Sequence, residues 1–221
     1  MLIEFKQCNH IIKACHGVGV RKIFHVGAHT GEEAVTYSEN GVERVVWFEA
    51  NETLVPQLSR FIAQFPMEQI VIPYALWNQN EILTFKVTNN FQSSSFFDLQ
   101  AHSVYYPGIV VTEEKQVQAL RLDSLIELQP PGLPFSDFDF INIDTQGSEL
   151  AVLQGLGQYI LQPSIKGIYL EVNRESLYKD IPMIGKIDAY LAQCGFSRII
   201  TKWTREGWGD AFYLKNIEVE F

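Results

Sequence analysis

The stretch from Lys22 to Glu33, which reads KIFHVGAHTGEE, constrains the fold of this chain more than any other. Its first five residues are mostly apolar and suit a short buried strand. Gly27 and Gly31 then bracket a turn, and Thr30 with Glu33 three positions later has the spacing of a helix-capping box. A strand, a glycine turn and a new helix together predict a place where a ligand can contact bare backbone amides.

The two glycines follow a Gly-x-x-x-Gly pattern, which lacks part of the Gly-x-Gly-x-x-Gly fingerprint of dinucleotide-binding proteins. The same pattern is found in strand-to-helix turns where glycine only allows close packing. The turn by itself therefore leaves ligand binding and simple packing as alternatives.

Strands and helices alternate over the first 75 residues, which favours parallel strands joined by right-handed helical crossovers. The alternation resumes after position 138, and a turn at Trp208 and Gly209 predicts a C-terminal hairpin. A short amphipathic helix is predicted over 3–15, with Cys15 facing inward, and a second helix over 31–40. Strands are predicted at 22–26, 44–48, 69–74, 82–87, 116–122, 138–143, 165–170, 198–202 and 211–214.

Composition argues against several classes of protein. The net charge of −9 opposes binding to a nucleic-acid backbone. No run approaches the ~18 apolar residues of a membrane span. The three cysteines lack metal-binding spacing and suit free thiols in a reducing compartment. We therefore expect a cytoplasmic protein that engages neither nucleic acid nor membrane.

A single domain is predicted over residues 1–221, with a helical extension at 1–20. Residues 88–116 are polar and aromatic, and the length of this segment predicts a functional loop on the substrate side. Pro130, Pro131 and Pro134 mark a surface connection.

Ligands of open parallel sheets lie beyond the carboxyl ends of the strands, where Gly27, Glu49 and Ala75 are expected. A carboxylate such as Glu49 can accept hydrogen bonds from both hydroxyls of a ribose. A solvated carboxylate at the end of a strand is the alternative.

Asp144, Glu171 and Asn173 end the fourth and fifth predicted parallel strands. Asp144 suits a cofactor amine, a substrate hydroxyl, a metal or the N-cap of the next helix. Glu171 could serve as a general base if burial raised its pKa. Together the three side chains are plausible oxygen ligands for Mg²⁺, although no spacing rule requires a metal.

The histidines leave their roles open. His25 lies inside a strand and is interpreted as a core or cleft residue, whereas His29 lies in the glycine turn and could contact ligand. His102 lies in the long loop and is either catalytic or merely exposed.

Six segments spread in order over nearly the whole chain resemble the FkbM-type methyltransferases. Such a spread is far more specific than the glycine turn alone. The segments are VGAHTGEE at 26–33, WFEAN at 47–51, LDSL at 122–125, IDTQGSEL at 143–150, LEVNRESLY at 170–178 and GWGDA at 207–211.

The resemblance implies an α/β fold with a Rossmann-like, seven-stranded, mostly parallel sheet, helices on both faces and a C-terminal antiparallel hairpin. It also implies an S-adenosylmethionine-dependent enzyme that methylates hydroxyl oxygens on sugars or other small natural products. Many relatives carry Asp at the position of His25 and Asn at that of His29.

Carried over to this chain, the resemblance assigns the glycine turn to the methionine part of the cofactor and Glu49 to the ribose. It places Asp144 opposite the reacting methyl, with Glu171 and Asn173 as candidate catalytic residues on the acceptor side. The cofactor residues implied are Gly27, Ala28, His29, Gly31, Glu49, Ala50, Ala75, Leu76 and Asp144.

Two alternatives stay open at this point. A nicotinamide-dependent oxidoreductase shares the acidic residue after the second strand, although the third glycine of its fingerprint is missing. A protein that binds a nucleoside cofactor without catalysis is the other, since no single base is certain from the sequence.

Overall fold

The computed structural model describes residues 1–128 and 137–216. The surface connection predicted from Pro130, Pro131 and Pro134 lies outside these residues. Within the described part, ten strands form one large and one small sheet. They are β1 (Lys22–Val26), β2 (Arg44–Phe48), β3 (Glu68–Ile72), β4 (Ala75–Leu76), β5 (Glu81–Thr88), β6 (Val111–Leu120), β7 (Phe140–Ile143), β8 (Gly167–Asn173), β9 (Phe196–Trp203) and β10 (Trp208–Lys215).

The large sheet has seven strands in the order β3-β2-β1-β7-β8-β10-β9. The first five are parallel, and β10 runs antiparallel between β8 and β9. The seven-stranded, mostly parallel fold with a C-terminal antiparallel hairpin is therefore confirmed. The small sheet, in the order β4-β6-β5, comes from the middle of the chain.

Seven α-helices lie in the described ranges, and short 3₁₀ turns at Phe91–Ser93 and Gly157–Leu161 accompany them. No described helix is both long enough and apolar enough to cross a lipid bilayer. The helices are α1 (Phe5–His16), α2 (Ala34–Glu39), α3 (Val55–Ile62), α4 (Ala101–Tyr105), α5 (Leu122–Leu128), α6 (Glu149–Gly155) and α7 (Ile184–Gln193).

Alternation along the central strands supplies two hydrophobic cores, one on each face of the large sheet. On one face Phe24 packs with residues of α5, α6 and α7, such as Leu153. On the other face Ile23 packs with α1, α2 and α3, including Tyr37 and Leu58. Each fully buried apolar side chain of this kind contributes about 1.5–3 kcal/mol, so the two cores hold the strand ends in fixed positions.

The first helix corrects one prediction. Cys15 is exposed, whereas Phe5, Cys8 and Ile12 are buried. The buried stripe follows spacings of three and four residues, and its next member is the half-buried His16 rather than Cys15.

The capping box predicted from Thr30 and Glu33 is also wrong. Helix α2 begins only at Ala34, and Glu33 at its N-cap makes no side-chain capping hydrogen bond. Positive φ angles of 48° at His29 and 82° at Gly31 keep the chain in a turn and delay the helix. The Glu33 side chain is instead directed to the cavity described below.

The C-terminal turn lies earlier than predicted. Trp208 and Gly209 are part of β10, and the turn occupies residues 204–207. Gly207 has a φ of 89°, which a residue with a side chain rarely adopts, so this glycine makes the turn.

Residues 89–110, which we call the crossing segment, connect β5 to β6 and are shorter than the predicted 88–116 loop because β6 begins at Val111. The segment is held at both ends. Ser95 pairs with Lys86 of β5, and Leu99 pairs with Tyr178, which follows β8. It therefore links the small sheet to the large sheet across the carboxyl ends of the parallel strands.

Candidate active site

A cavity of about 560 Å³ opens at the carboxyl ends of β1, β2, β7 and β8. Parallel register explains why residues from distant parts of the chain meet there. Val26 lies beside both Phe48 and Ile143, so the residues that follow these three are neighbours in space. Of the predicted site residues, those lining the cavity are Gly27, Ala28, His29, Glu49, Ala50, Ala75, Leu76, Asp144 and Glu171.

Gly31 and Asn173 do not line this cavity. A Cβ atom at Gly31 would lie 2.7 Å from Ile62 and 2.8 Å from Leu58, so this glycine allows the turn to pack against α3. Asn173 is buried within β8, and its side-chain oxygen has no hydrogen-bond partner among the residues described.

Gly27 is required by the close approach of β1 and β7. Its φ is 85°, and a Cβ atom there would lie 1.8 Å from the carbonyl oxygen of Asp144. No shift of a flexible side chain could relieve this contact, because the obstacle is backbone.

The backbone amides of the glycine turn are not bare, which corrects the prediction from the sequence. Gly27 and Ala28 donate to the carbonyl oxygen of Phe48 at 2.9 and 3.0 Å, and Gly31 donates to that of Ala28. These hydrogen bonds tie the end of β1 to the end of β2. At Gly27, Ala28, His29 and Gly31 the turn therefore offers a ligand close backbone approach and side chains rather than free N–H groups.

Glu49 follows β2 and is buried, with each carboxylate oxygen receiving one backbone amide. His29 donates to Oε2 and Asn51 donates to Oε1, both at 2.7 Å. Burial raises the pKa of Glu49, and the two amides act in the opposite direction. Each oxygen retains a second lone pair, so the carboxylate is oriented and can still accept hydroxyl donors.

Asp144 and Glu171 are bridged by Gln146, which no sequence pattern singles out. The side-chain amide of Gln146 donates to Asp144 Oδ1 at 2.8 Å and to Glu171 Oε2 at 3.2 Å. Its oxygen accepts the hydroxyl of Tyr178 at 2.8 Å, and its backbone carbonyl accepts Ser95 Oγ at 2.7 Å. Gln146 stood within the IDTQGSEL segment, but its φ of 53° and its distant partners become visible only in the fold.

The surroundings of both carboxylates in this bridge raise their pKa values. Burial raises the pKa of Asp144, and the nearby Glu33 adds to the effect, whereas Gln146 opposes it. Burial also raises the pKa of Glu171 well above its usual range, and the charges of Asp144 and Glu149 act in the same direction. The cluster is therefore poised to become more ionised when a positive charge arrives.

The three candidate histidines have different surroundings. His25 is buried and shares a hydrogen bond with Tyr37, as expected for a core or cleft residue. The Nδ1 atom of His29 lies 3.0 Å from Glu32, and this hydrogen bond raises the pKa of His29. His102 is 4% exposed and lines the cavity, so the alternative of a merely exposed residue is wrong.

The cavity is acidic, and within the described ranges neither Lys nor Arg lines it. The described residues contain no group of three or more His, Cys, Asp or Glu side chains arranged to hold a metal ion. The acidic residues that line the cavity are Glu32, Glu33, Glu49, Asp144, Glu171 and Asp210.

Solved structures share this fold at low sequence identity. Magnesium protoporphyrin IX methyltransferase from Synechocystis PCC 6803 with bound SAM aligns with a TM-score of 0.50 and 9% identity, over 96% of this chain and 79% of the other. The ribosomal protein L11 methylase from Lactobacillus delbrueckii subsp. bulgaricus gives 0.51 and 12%, over 96% and 79%. TrmK from M. capricolum, in complex with S-adenosylhomocysteine, gives 0.51 and 8%, over 98% and 70%.

These likenesses establish the fold, which is that of S-adenosylmethionine-dependent methyltransferases. Sequence identities of 8–12% do not show a shared substrate or reaction. No curated protein sequence matches the chain significantly. A sequence model of the methyltransferase FkbM domain, however, matches residues 25–198, which include the glycine turn, Glu49, Asp144 and Glu171. The chain therefore belongs to the FkbM methyltransferase family.

Proposed function

We propose that this protein transfers the methyl group of S-adenosylmethionine to a hydroxyl oxygen of a small acceptor. The observation that carries the proposal is the meeting of two features in one cavity. Glu49, with its carboxylate oriented by two backbone amides, faces the cavity from β2, and the Asp144–Gln146–Glu171 bridge faces it from β7 and β8.

The order of the strands suits an elongated nucleoside cofactor. Ala75 and Leu76 of β4 lie near the β3 end of the sheet, Glu49 follows β2, Gly27 follows β1 and Asp144 follows β7. Neighbouring strands are about 4.8 Å apart, so these positions form a track along the sheet edge. Adenine beside the apolar pair, ribose on Glu49 and the amino-acid part over Gly27 would follow this track.

When bound, S-adenosylmethionine supplies a methyl group already activated on a sulfonium for in-line displacement. The protein then has to align the acceptor oxygen, which in favourable cases lowers a barrier by roughly 7–11 kcal/mol. It also has to accept the hydroxyl proton. A positive charge beside Asp144 and Glu171 lowers the pKa values of both, so Glu171 can take that proton as a carboxylate.

Gln146 gives this proton acceptor a fixed direction. Its two N–H hydrogens are used by the two carboxylates, and its oxygen is used by Tyr178. One oxygen of Glu171 is thus engaged and the other is left for the acceptor hydroxyl. A hydroxyl acceptor needs such a base, because a neutral alcohol is a poor nucleophile until its proton is removed.

The charge of the cavity bears on the acceptor class. Six carboxylates line it, and no Lys or Arg does so in the described part of the chain, which disfavours acceptors that carry phosphate or carboxylate near the reacting hydroxyl. This feature supports a neutral small molecule over a nucleic acid.

Two measurements test the proposal. Calorimetry with S-adenosylmethionine and with NAD should give binding of the first alone, since the family match favours a methyltransferase over the oxidoreductase alternative. Transfer of a labelled methyl group should then be measured on matched acceptors with a hydroxyl, an amine or a phosphorylated hydroxyl. Cofactor binding without labelled product from any of these acceptors would favour the non-catalytic alternative. Faster labelling of the amine than of the hydroxyl would contradict O-methylation.

A further inference from the structure

Glu33 lies in the cavity wall without a charged group in direct contact, although the N-terminal ammonium of Met1 and the ring of His29 act on it from a greater distance. Its side chain is 23% exposed, and the ion-pair contact that the structure gives it is His25 Nε2, at 4.0 Å. Burial lowers the pKa of His25 to about 4, so this histidine is neutral near pH 7 and supplies no positive charge. A partly buried carboxylate of this kind is stabilised by a cation that enters the cavity with a ligand.

His25 is held in one orientation by two buried polar neighbours. The Nδ2 atom of Asn142 donates to the hydroxyl oxygen of Tyr37 at 2.7 Å, which leaves the Tyr37 hydrogen for His25 Nδ1 at 2.9 Å. If Nδ1 accepts this hydrogen, the ring proton of the neutral imidazole resides on Nε2. Nε2 lies 4.0 Å from Glu33 Oε2, which is beyond direct hydrogen-bond distance but close enough for the N–H dipole to attract the carboxylate.

The neighbouring Glu32 provides an internal contrast. It also lines the cavity, but its carboxylate accepts a hydrogen bond from His29 at 3.0 Å. That hydrogen bond lowers the pKa of Glu32 to about 2, whereas burial raises the pKa of Glu33. Glu32 is therefore in direct contact with a histidine whose pKa is raised, whereas the histidine nearest to Glu33 is neutral near pH 7.

The position of Glu33 selects which part of a ligand it can reach. Glu33 follows the turn at the end of β1, one strand along from Glu49 at the end of β2. On the track described above, the ribose lies on Glu49 and the amino-acid part of the cofactor lies over β1. The α-ammonium of that part is the cation that arrives at Glu33.

We propose that Glu33 binds the α-ammonium group of S-adenosylmethionine and that His25 is the positioning residue for its carboxylate. This inference rests on the proposed function, because it takes the same cofactor in the same cavity. It concerns the binding of the amino-acid part and not the transfer of the methyl group.

The test compares three ligands by calorimetry on the full chain. S-adenosylmethionine carries both the ammonium and the sulfonium, S-adenosylhomocysteine carries the ammonium alone, and 5′-methylthioadenosine carries neither. Glu33→Gln should weaken the first two by a similar factor of about ten, the size of one lost charge-assisted hydrogen bond, and leave the third unchanged. The control Glu39→Gln removes an exposed carboxylate of α2 outside the cavity wall, and it should change all three affinities by less than about twofold.

Each other result overturns the assignment. A loss with S-adenosylmethionine alone would mean that Glu33 acts on the sulfonium. An equal loss with 5′-methylthioadenosine would mean that it acts through the shape of the turn, and no loss at all would remove it from the site. If the wild-type protein bound none of the three ligands, the proposed function itself would fail, which is a distinct outcome.

A second variant tests the positioning role of His25. His25→Phe keeps a ring against Trp47, whose centroid lies 4.8 Å from that of His25, and removes both nitrogens. We expect the affinity for S-adenosylmethionine and for S-adenosylhomocysteine to fall threefold to fivefold. The affinity for 5′-methylthioadenosine should stay unchanged, and this unchanged binding also shows that the cavity of the variant is folded. Wild-type affinity for all three ligands would overturn the positioning role.

Discussion

The cavity has two walls that are built in different ways. The glycine wall, formed by Gly27, Ala28, His29 and Glu49, is held by hydrogen bonds that backbone amides donate between the ends of adjacent strands. The carboxylate wall, formed by Asp144, Gln146, Glu171 and Tyr178, is held by side-chain hydrogen bonds between distant segments.

The difference determines what a short sequence pattern can predict. In the glycine wall, strand pairing fixes each residue, so the order of strand, turn and acidic residue is enough to place them. In the carboxylate wall, Gln146 meets Ser95 and Tyr178, which lie 51 and 32 positions away. Those contacts depend on how the crossing segment packs, and no local pattern encodes this.

The largest effect is expected in the glycine wall. Gly27→Ala should abolish measurable cofactor binding, because the new Cβ would lie 1.8 Å from backbone and the φ of 85° is unfavourable. Gly41→Ala is a matched control, with a φ of 75° but no atom within 4 Å of the new Cβ. It should cost only the strain of the left-handed conformation, about 1–2 kcal/mol of unfolding free energy, and retain binding. Calorimetry and thermal unfolding of both variants measure the difference, and equal binding losses would contradict the steric argument.

The next effect concerns the carboxylate wall. Glu171→Gln should reduce methyl transfer by about 10²–10⁴-fold, the range typical of a lost general base. Affinity for S-adenosylmethionine should change much less, since Glu49 and the glycine wall are intact. Single-turnover rates and calorimetry on the same variant separate the two quantities, and full activity would remove Glu171 as the base.

Protein stability should also depend on pH through Glu149, a neighbour of the carboxylate wall whose charge acts on Glu171. Burial raises the pKa of Glu149 from 4.5 to about 7, although the amides of Thr145 and Gly147 donate to its carboxylate. Between these two pH values the folded state holds a proton that the unfolded state has lost, so unfolding free energy falls as pH rises and levels off above pH 7. The fall attributable to this group is at most about 3 kcal/mol.

Denaturant unfolding at several pH values checks this prediction against Glu149→Gln. The variant cannot ionise at this position, so the difference in unfolding free energy between the two proteins should change over pH 4.5–7 and stay constant above it. A difference that is independent of pH would show that Glu149 titrates normally in the folded protein.

The smallest effect is expected for Glu49→Ala. Loss of charge-assisted hydrogen bonds to ribose hydroxyls should weaken cofactor binding by about 1–3 kcal/mol. Glu52→Ala, an exposed acidic neighbour outside the cavity wall, should bind as the wild type does. Calorimetry compares the affinity of both variants and the wild type for the cofactor. An unchanged affinity in Glu49→Ala would count against the ribose assignment.

The sequence determined the fold and much of one wall. Alternating strands and helices specified a parallel sheet, since each apolar face needs a partner to cover it. The strand ends then brought Gly27, Glu49 and Asp144 together, as predicted. The resemblance to the FkbM family rested on six segments, and the family model matches residues 25–198, which contain all of them except the segment at 207–211.

Only the tertiary structure decided the remaining features of the site. It showed that the amides of the glycine turn are already bonded to Phe48, that Gly31 serves packing, and that Gln146 bridges the two acids. Hydrogen-bond partners and burial arise when elements far apart in the chain come into contact, and the periodicity of a single element contains no information about them. The sequence alone therefore placed most of these residues at the edge of the sheet, and packing gave each one its hydrogen-bond partners and its burial.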